Sequence, residues 1–553
     1  MKKNILKKAS VRWLAEIVKI FKGAITRLVI LNFIIAILSV LMATRSKSLI
    51  DIVIKQDRSR MTSEATIYVM MIIFIIVLRY VSGILDESTE YRIRVSIQNN
   101  FIKKVNKSSY EKIQAIHSGK LNTYLYSDIP YISKALVTIV PQTINMATRL
   151  ITALVLLFVL DKQLASIIVF LGALLVVGMS TVRKKSQKLY RDIQERVGNT
   201  RSFIQDYLSN LLVIQVFGAY MPMNKKLEEL QKLEFDATMK RKYFSGFGTV
   251  GFSLIYEFGF LCMIFWGAYQ ISQSNLTLGS LVALTQISGQ IQGPIANLTG
   301  MIPYSFGVLE SINRIIQVER LEEKASKKYL KKDLAVFKRI DVRGLNYAYD
   351  GQKVLDEVIL NINSGDKVSL MGTSGSGKTT LLMLLMGIYK SENQSIKIAF
   401  SDSYEVLPEE LPENFYGYVP QSNQIFAGTI KENISFFNSK ISQKEIEHAA
   451  RVACANEFIE SFKDGYDTNL TEGGKSISLG QAQRIAIARA ICSRPSVLIL
   501  DEATSALDSD TEMKILKQLS DMSITCLMVT HRKSTLKISN KKLNLTRGKI
   551  YYE

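Results

Sequence analysis

The stretch GTSGSGKT, residues 372–379, has the spacing G-x-x-x-x-G-K-[ST]. Glycines at 375 and 377 let successive backbone N–H groups curl around an oxyanion. A lysine adds a point charge, and a terminal hydroxyl offers a ligand to a cation. The β-type run KVSLM precedes the loop and the helical TLLMLLMGIY follows it, the context such a cradle requires. The predicted anion is the phosphate chain of a nucleotide. Gly372, Thr373, Ser374, Gly375, Ser376, Gly377 and Thr380 line the loop, Lys378 reaches the β- and γ-phosphates, and Thr379 offers its hydroxyl to Mg²⁺.

A second pattern supplies carboxylates. In SVLILDEATSALD a buried-type strand ends in Asp501 and Glu502. Asp501 suits the Mg²⁺ shell and Glu502 suits polarisation of an attacking water. A third stretch, SISLGQAQRIAIARA at 476–490, begins a helix with Ser478, Leu479, Gly480 and Gln481. Free N–H groups at a helix N-terminus make an anion site, yet a leucine sits in its middle.

These residues need two kinds of element around them. The chain has 553 residues, so more than one domain is expected. Apolar residues are 47% and charged ones 22%, with a mean hydropathy of +0.12, which points to a membrane part joined to a soluble part. The net charge of +21 is read as Lys and Arg in cytoplasmic loops rather than as a nucleic-acid footprint. None of the four cysteines (262, 454, 492, 526) forms a CxxC pair, and three histidines are too few for a His-rich metal site.

Apolar runs at 24–43, 66–85, 137–160, 163–182, 247–272 and 277–303 predict six membrane spans. Spans three and four are joined by little more than Asp161, Lys162 and Gln163, whereas 86–135 and 183–246 are long and charged. The positive-inside rule puts both long loops and the basic N-terminus in the cytoplasm. An uncleaved first helix is favoured over a signal peptide, because further spans follow. From about 340, short β-type runs alternate with helices, the signature of a parallel α/β sheet. The predicted fold is an α-helical six-span membrane domain (1–325), a charged linker (326–339) and an α/β P-loop domain (340–553).

This order of motifs resembles an ABC transporter, and nearly the whole chain is similar to a half-size ABC exporter of the six-helix multidrug, lipid or peptide type. The resemblance implies ATP with Mg²⁺ as cofactors, and Thr379, Gln421 and Asp501 around the metal. Tyr349 falls where the family stacks an aromatic on adenine. Gln421 matches the Q-loop glutamine, Glu472 a neighbouring contact to the membrane domain, Asp508 the D-loop, and His531 the switch histidine at the γ-phosphate. ISLGQ resembles the signature LSGGQ, which in the family meets ATP held by a partner chain. Ser478, Gly480 and Gln481 keep the pattern, while Leu479 replaces a glycine and must point away from the nucleotide. Two readings stay open: a homodimer that tolerates Leu479, or a heterodimer with one weakened site.

The resemblance further implies short coupling helices, the first in 118–132 and the second within 203–220. Polar residues inside the spans mark the candidate cavity: Arg79, Arg149, Glu257, Gln286 and Gln290, with Asn297 near the same face. Arg149 and Glu257 are expected to pair or to line the cavity with the glutamines; snorkelling or helix–helix contact is the alternative. The implied cargo is a hydrophobic or amphipathic drug, lipid or small peptide, with membrane lipid around the chain and no nucleic acid. A non-transporting ABC ATPase, serving as a sensor or immunity partner, is the rival of another class.

Overall fold

The computed structural model describes residues 2–553 except 117, 324–335, 350, 392, 402–403, 423 and 475. Within the helices it leaves out some side chains, chiefly those of 2–8, 170–184 and 294–303, together with Glu472. The linker 326–339 therefore lies mostly outside the described residues, as does the Asn297 side chain. Residues 1–106 and 118–320 form one compact unit; 107–117 and 321–553 form another.

The first unit is helical. Helices α1 (Lys2–Ile20), α2 (Lys22–Ile54) and α3 (Arg58–Lys107) come first. Next in the chain are α4 (Tyr110–Gln114), which belongs to the second unit, then α5 (Ser118–Thr123), a π-helical turn (Tyr124–Asp128) and α6 (Ile129–Leu160) of the first. Then α7 (Lys162–Ser209), α8 (Leu211–Val216), α9 (Tyr220–Ser272) and α10 (Leu278–Glu319) complete the series. Five of the six predicted spans fall within the long helices α2, α3, α6, α7 and α9, and the sixth begins at Thr277, the N-cap of α10. Among the described residues, the four spans in α2, α3, α6 and α9 are long and apolar enough to cross a bilayer.

Val40 and Ala43 of α2, Ala153 and Leu157 of α6, Met263 of α9 and Leu284 and Ile287 of α10 share one buried cluster. The opposite faces stay apolar and exposed: Ile73, Phe74, Ile76 and Val77 of α3 all point outward. In water such a face would be a liability; in hydrocarbon it is solvated. The tight corner between α6 and α7 is built by Asp161. Its carboxylate accepts from the N–H groups of Gln163 (2.9 Å) and Leu164 (3.0 Å) and from the Trp266 indole N–H (2.8 Å). That capping satisfies donors which lipid cannot.

The stretch 118–132, expected as a coupling helix, is not a separate one. It runs through α5 and the π turn directly into α6. The detached short helix is α4. The extended Ser109 (φ −59°, ψ 133°) breaks the chain from α3, and its N–H donates to the Glu322 carbonyl at 3.2 Å. Within 203–220, α8 is a short helix that leaves Leu212, Val216 and Phe217 exposed.

The second unit contains two main sheets. The antiparallel one has the order β2-β1-β4-β5, built from β1 (Phe337–Tyr349), β2 (Gln352–Asn363), β4 (Ile396–Phe400) and β5 (Glu405–Val406). The larger has the order β12-β11-β3-β10-β9-β6. Its strands are β3 (Lys367–Met371), β6 (Tyr416–Val419), β9 (Val497–Asp501), β10 (Thr525–Val529), β11 (Lys541–Thr546) and β12 (Lys549–Tyr552). All pairings from β11 to β6 are parallel, and β12 is an antiparallel edge. The strands β9 and β10 are buried throughout, as parallel strands covered on both faces must be. Helix α11 (Lys378–Leu385) follows β3, α15 (Leu479–Cys492) precedes β9, and α16 (Ser509–Asp521) follows it.

Candidate functional site

In a parallel sheet, the loops at the carboxyl ends of the strands form the ligand crevice. Four stretches predicted to do chemistry lie at such ends. The 372–377 loop follows β3, Gln421 follows β6, Asp501 closes β9, and His531 follows β10.

The 372–377 loop is bent by glycines. Gly375 (φ 79°) and Gly377 (φ 102°) occupy conformations that side-chain-bearing residues rarely adopt. A Cβ on Gly377 would also crowd Leu355 at 3.0 Å and the Val354 carbonyl at 3.2 Å. Lys378 opens α11, is buried, and donates to the carbonyls of Gly372 (2.7 Å) and Thr373 (3.0 Å). The Ser376 hydroxyl is buried with no partner. A loop of bent backbone, a tethered lysine and an orphaned hydroxyl fits a phosphate chain. Thr379 and Thr380 lie in the first turn of α11 and Ser374 in the loop.

The carboxylates stand beside it. Asp501 is buried, and that burial, then the neighbouring Glu502, push its carboxyl above the usual range. A cation there would reverse the penalty, so the site suits Mg²⁺ electrostatically. Glu502 sits at φ 50°, with its N–H held by the Val529 carbonyl at 3.0 Å. Its two oxygens meet Gln421 Nε2 (2.9 Å) and His531 Nε2 (3.5 Å). Gln421, Glu502 and His531, 110 positions apart along the chain at the extremes, thus converge on one carboxylate. Tyr418, which the sequence reading did not single out, donates to Asp501 Oδ2 at 3.4 Å. Its approach to Asp501 depends on β6 pairing with β9, which the sequence does not announce.

Tyr349 is 37% exposed and makes edge contacts with Tyr347 (5.3 Å) and Tyr389 (5.7 Å). Tyr389 donates its hydroxyl to Gln114 of α4 at 3.1 Å, so the aromatic cluster is tied to that short helix.

At the signature stretch, Ser478 and Gln481 form a capping box. Ser478 Oγ accepts from the Gln481 N–H (3.2 Å) and Gln481 Oε1 accepts from the Ser478 N–H (2.9 Å). Leu479 is 65% exposed, whereas a Cβ on Gly480 would lie 3.1 Å from the Ala506 carbonyl. Close packing therefore demands the second glycine and not the first. Asp508 caps α16 by accepting from the Thr511 N–H at 2.9 Å. The Glu472 side chain lies outside the described residues.

In the helical unit, the expected Arg149–Glu257 pair does not form. Arg149 instead donates to Gln290 Oε1 at 3.3 Å, while Glu257 is exposed. The two residues stand on α6 and α9, and α6 packs chiefly against α2 and α10, so the reachable partner is on α10. Arg149 Nε is buried without a partner. Arg79 of α3 is a second cation on a membrane helix. Among the described residues, the ion pairs of this unit involve neither arginine. Gln286 donates to Ser46 Oγ at 3.0 Å.

Family models agree with this architecture. The ABC transporter transmembrane region matches residues 25–295, and the ABC transporter domain matches 355–505. The chain belongs to the ABC transporters, with a membrane region and an ATPase domain fused in one polypeptide. It is similar to half-size exporters: it is 28% identical over 489 residues to the ATP-dependent lipid A-core flippase of Francisella novicida, covering 85% of this chain and 80% of that one. It is 27% identical over 468 residues to a fatty acid ABC transporter ATP-binding/permease protein of Mycobacterium bovis, covering 84% and 73%. Its fold matches the structure of a bacterial Atm1-family ABC exporter with ATP bound, at a TM-score of 0.80 and 21% identity over 96% of this chain and 95% of that one. The protein is thus a multi-pass membrane ATPase that couples ATP hydrolysis to transport, with its ATPase domain on the cytoplasmic side.

Proposed function

We propose that this chain forms a dimeric exporter of an anionic, lipid-like amphiphile. The observation that carries the substrate class is Arg149: a cation in a membrane helix whose Nε is buried and unbonded, and which, among the described residues, makes no ion pair; Arg79 of α3 is a second cation in a membrane helix. Charges at membrane depth are costly unless they face a counter-ion or a wet cavity. A phosphate or carboxylate headgroup would satisfy both guanidinium forks, and Gln290 and Gln286 add neutral hydrogen-bonding capacity beside them. Relatives of this chain are named for lipid A-core and for fatty acids, which supports a lipid-like substrate.

In the ATPase domain, the glycine-bent loop and Lys378 bind and orient the phosphates, and Tyr349 offers its edge-packed ring to adenine. Thr379, Asp501 and Gln421 would hold Mg²⁺, which lowers the charge on the phosphates. Glu502 orients and deprotonates the attacking water, and His531 stabilises the γ-phosphate oxygens. The signature turn Ser478–Gly480 faces outward and is completed by a second chain's nucleotide. Leu479 is exposed on that same turn, so in a homodimer its side chain must turn aside from the partner's nucleotide.

The test is ATP hydrolysis by the purified chain in nanodiscs, titrated with a phosphatidic acid or fatty acid and with a zwitterionic lipid of the same chain length. Stimulation by the anionic lipids alone, abolished in Arg149→Gln, is the expected outcome. Equal stimulation by the zwitterionic lipid would remove the anionic substrate. Activity of the chain alone, lost in Glu502→Gln, supports the homodimer; inactivity with retained ATP binding would require a different second half.

A further inference from the structure

Helices α7 and α9 pack along each other. Two contacts fix their register on the cytoplasmic side. Lys185 Nζ of α7 stands 4.8 Å from the centre of the Phe244 ring of α9, and the Arg241 guanidinium of α9 stands 5.2 Å from the centre of the Tyr190 ring of α7. Residue numbers rise on one helix as they fall on the other, so the helices are antiparallel and Lys188 comes level with Lys242. The fourth predicted span ends at 182 and the fifth begins at 247. At about 1.5 Å of rise per residue, Lys185, Lys188, Lys240, Arg241 and Lys242 stand about 4–11 Å beyond those ends. That is the level of the lipid headgroups and the water beside them. Tyr243 and Phe247, 64% and 82% exposed, mark the same level with aromatic rings, as membrane interfaces do.

These cations lack counter-charges of their own. Among the described residues, none of the five makes an ion pair. No Asp or Glu occurs in 183–191 or in 237–247. The nearest carboxylates along the chain, Asp192 and Asp236, lie farther from the membrane, and Asp192 is taken by Arg196 at 3.6 Å. A ring face attracts a cation but accepts no strong hydrogen bond, so the N–H donors of Lys185 and Arg241 keep their capacity for an anion. Cytoplasmic Lys and Arg are expected of any membrane protein. That bias does not require two cations, one from each helix, each held in place by a ring on the opposite helix. Side chains fixed beforehand lose less entropy when an anion arrives, and a guanidinium fork matches the oxygens of a phosphate.

We infer that the cytoplasmic ends of α7 and α9 form a binding site for the phosphodiester headgroup of an anionic phospholipid of the inner leaflet, with Lys185 and Arg241 as its main contacts and Lys188 and Lys242 beside them. The site is distinct from the cargo position proposed above, since Arg149 stands on α6 and bonds to α10.

The experiment titrates the full chain in detergent with phosphatidylglycerol, or with phosphatidylcholine of the same acyl chains, and counts bound lipid by native mass spectrometry. Wild type is expected to bind phosphatidylglycerol at least about tenfold more tightly than phosphatidylcholine. Lys185→Gln combined with Arg241→Gln should erase that preference. The single variants, each expected to lower affinity about fivefold, carry the test if melting temperatures show that the double variant does not fold. Tyr190→Leu combined with Phe244→Leu removes both rings and keeps every charge; it should weaken phosphatidylglycerol about five- to thirtyfold. Arg149→Gln should bind phosphatidylglycerol as wild type does. Equal affinity for the two lipids would overturn the site. Full binding without the rings would reduce the cations to a diffuse basic surface and overturn it as well. Displacement of phosphatidylglycerol by millimolar inorganic phosphate would show that free phosphate, not a lipid, is recognised. Loss of the lipid in Arg149→Gln would place it at the cargo position, which sinks this site and leaves the cargo reading standing.

Discussion

Gly480→Ala separates the two glycine positions of the signature. A Cβ there would sit 3.1 Å from the Ala506 carbonyl and 3.7 Å from Leu507 Cδ2. Contacts of that length require the neighbour to retreat by a few tenths of an ångström. The neighbour is backbone, and it is pinned: the Ala506 N–H is bonded to Gln483, and the flanking carbonyls of Ser505 and Leu507 are bonded to Arg532. Retreat would stretch at least one such bond, and overpacking of this kind costs about 1–3 kcal/mol. If about 1–2 kcal/mol of that cost falls on the closed hydrolytic state, ATP turnover drops roughly five- to thirtyfold. Leu479→Ala makes no such contact, because the side chain it trims is largely exposed, and should leave turnover within about threefold. The assay is steady-state phosphate release in nanodiscs, with Glu502→Gln as the blank. If Leu479→Ala is the more damaging of the two, the side chain is buried against something in the working assembly, and the reasoning from its exposure fails.

Other perturbations follow from the same geometry. Tyr389→Phe keeps the ring against Tyr349 and deletes only the hydrogen bond to Gln114, worth about 0.5–1.5 kcal/mol; substrate-stimulated ATPase should fall while the basal KM for ATP holds, and an unchanged stimulation ratio would discount the bond. Arg314→Met leaves the buried Asp128, which Arg314 grips through two nitrogens at 2.7 and 2.6 Å, with only the Ser311 hydroxyl as a donor, so thermal unfolding in detergent should reveal a loss of about 1–3 kcal/mol; the double variant with Asp128→Leu should recover most of it. Asp161→Ala uncaps α7 and frees the Trp266 indole, costing about 1–2 kcal/mol, visible as a lower melting temperature. Chelation of Mg²⁺ by EDTA should stop hydrolysis, with phosphate release restored by added Mg²⁺.

The sequence by itself determined what is local or periodic. Bilayer-length apolar runs announce the membrane helices, because a hydrocarbon solvent leaves few other ways to satisfy a backbone. The phosphate loop was legible because its glycines, lysine and hydroxyl are neighbours in the chain and act as neighbours in space. Asp501 and Glu502 were legible for the same reason, at the end of an unmistakable buried strand. What only the tertiary structure decided are meetings between distant residues. That Gln421 and His531 both reach Glu502 depends on β6, β9 and β10 lying side by side in the sheet, an order that does not follow the chain. Arg149 finding Gln290 rather than Glu257 depends on α6 packing against α10, and two helices of similar hydropathy carry no label for their neighbour. The separate helix α4 was not anticipated because the break before it is made by the backbone angles of a single residue, Ser109. Leu479 interrupts the motif without breaking the turn: Ser478 and Gln481 hold it, and the leucine between them is exposed.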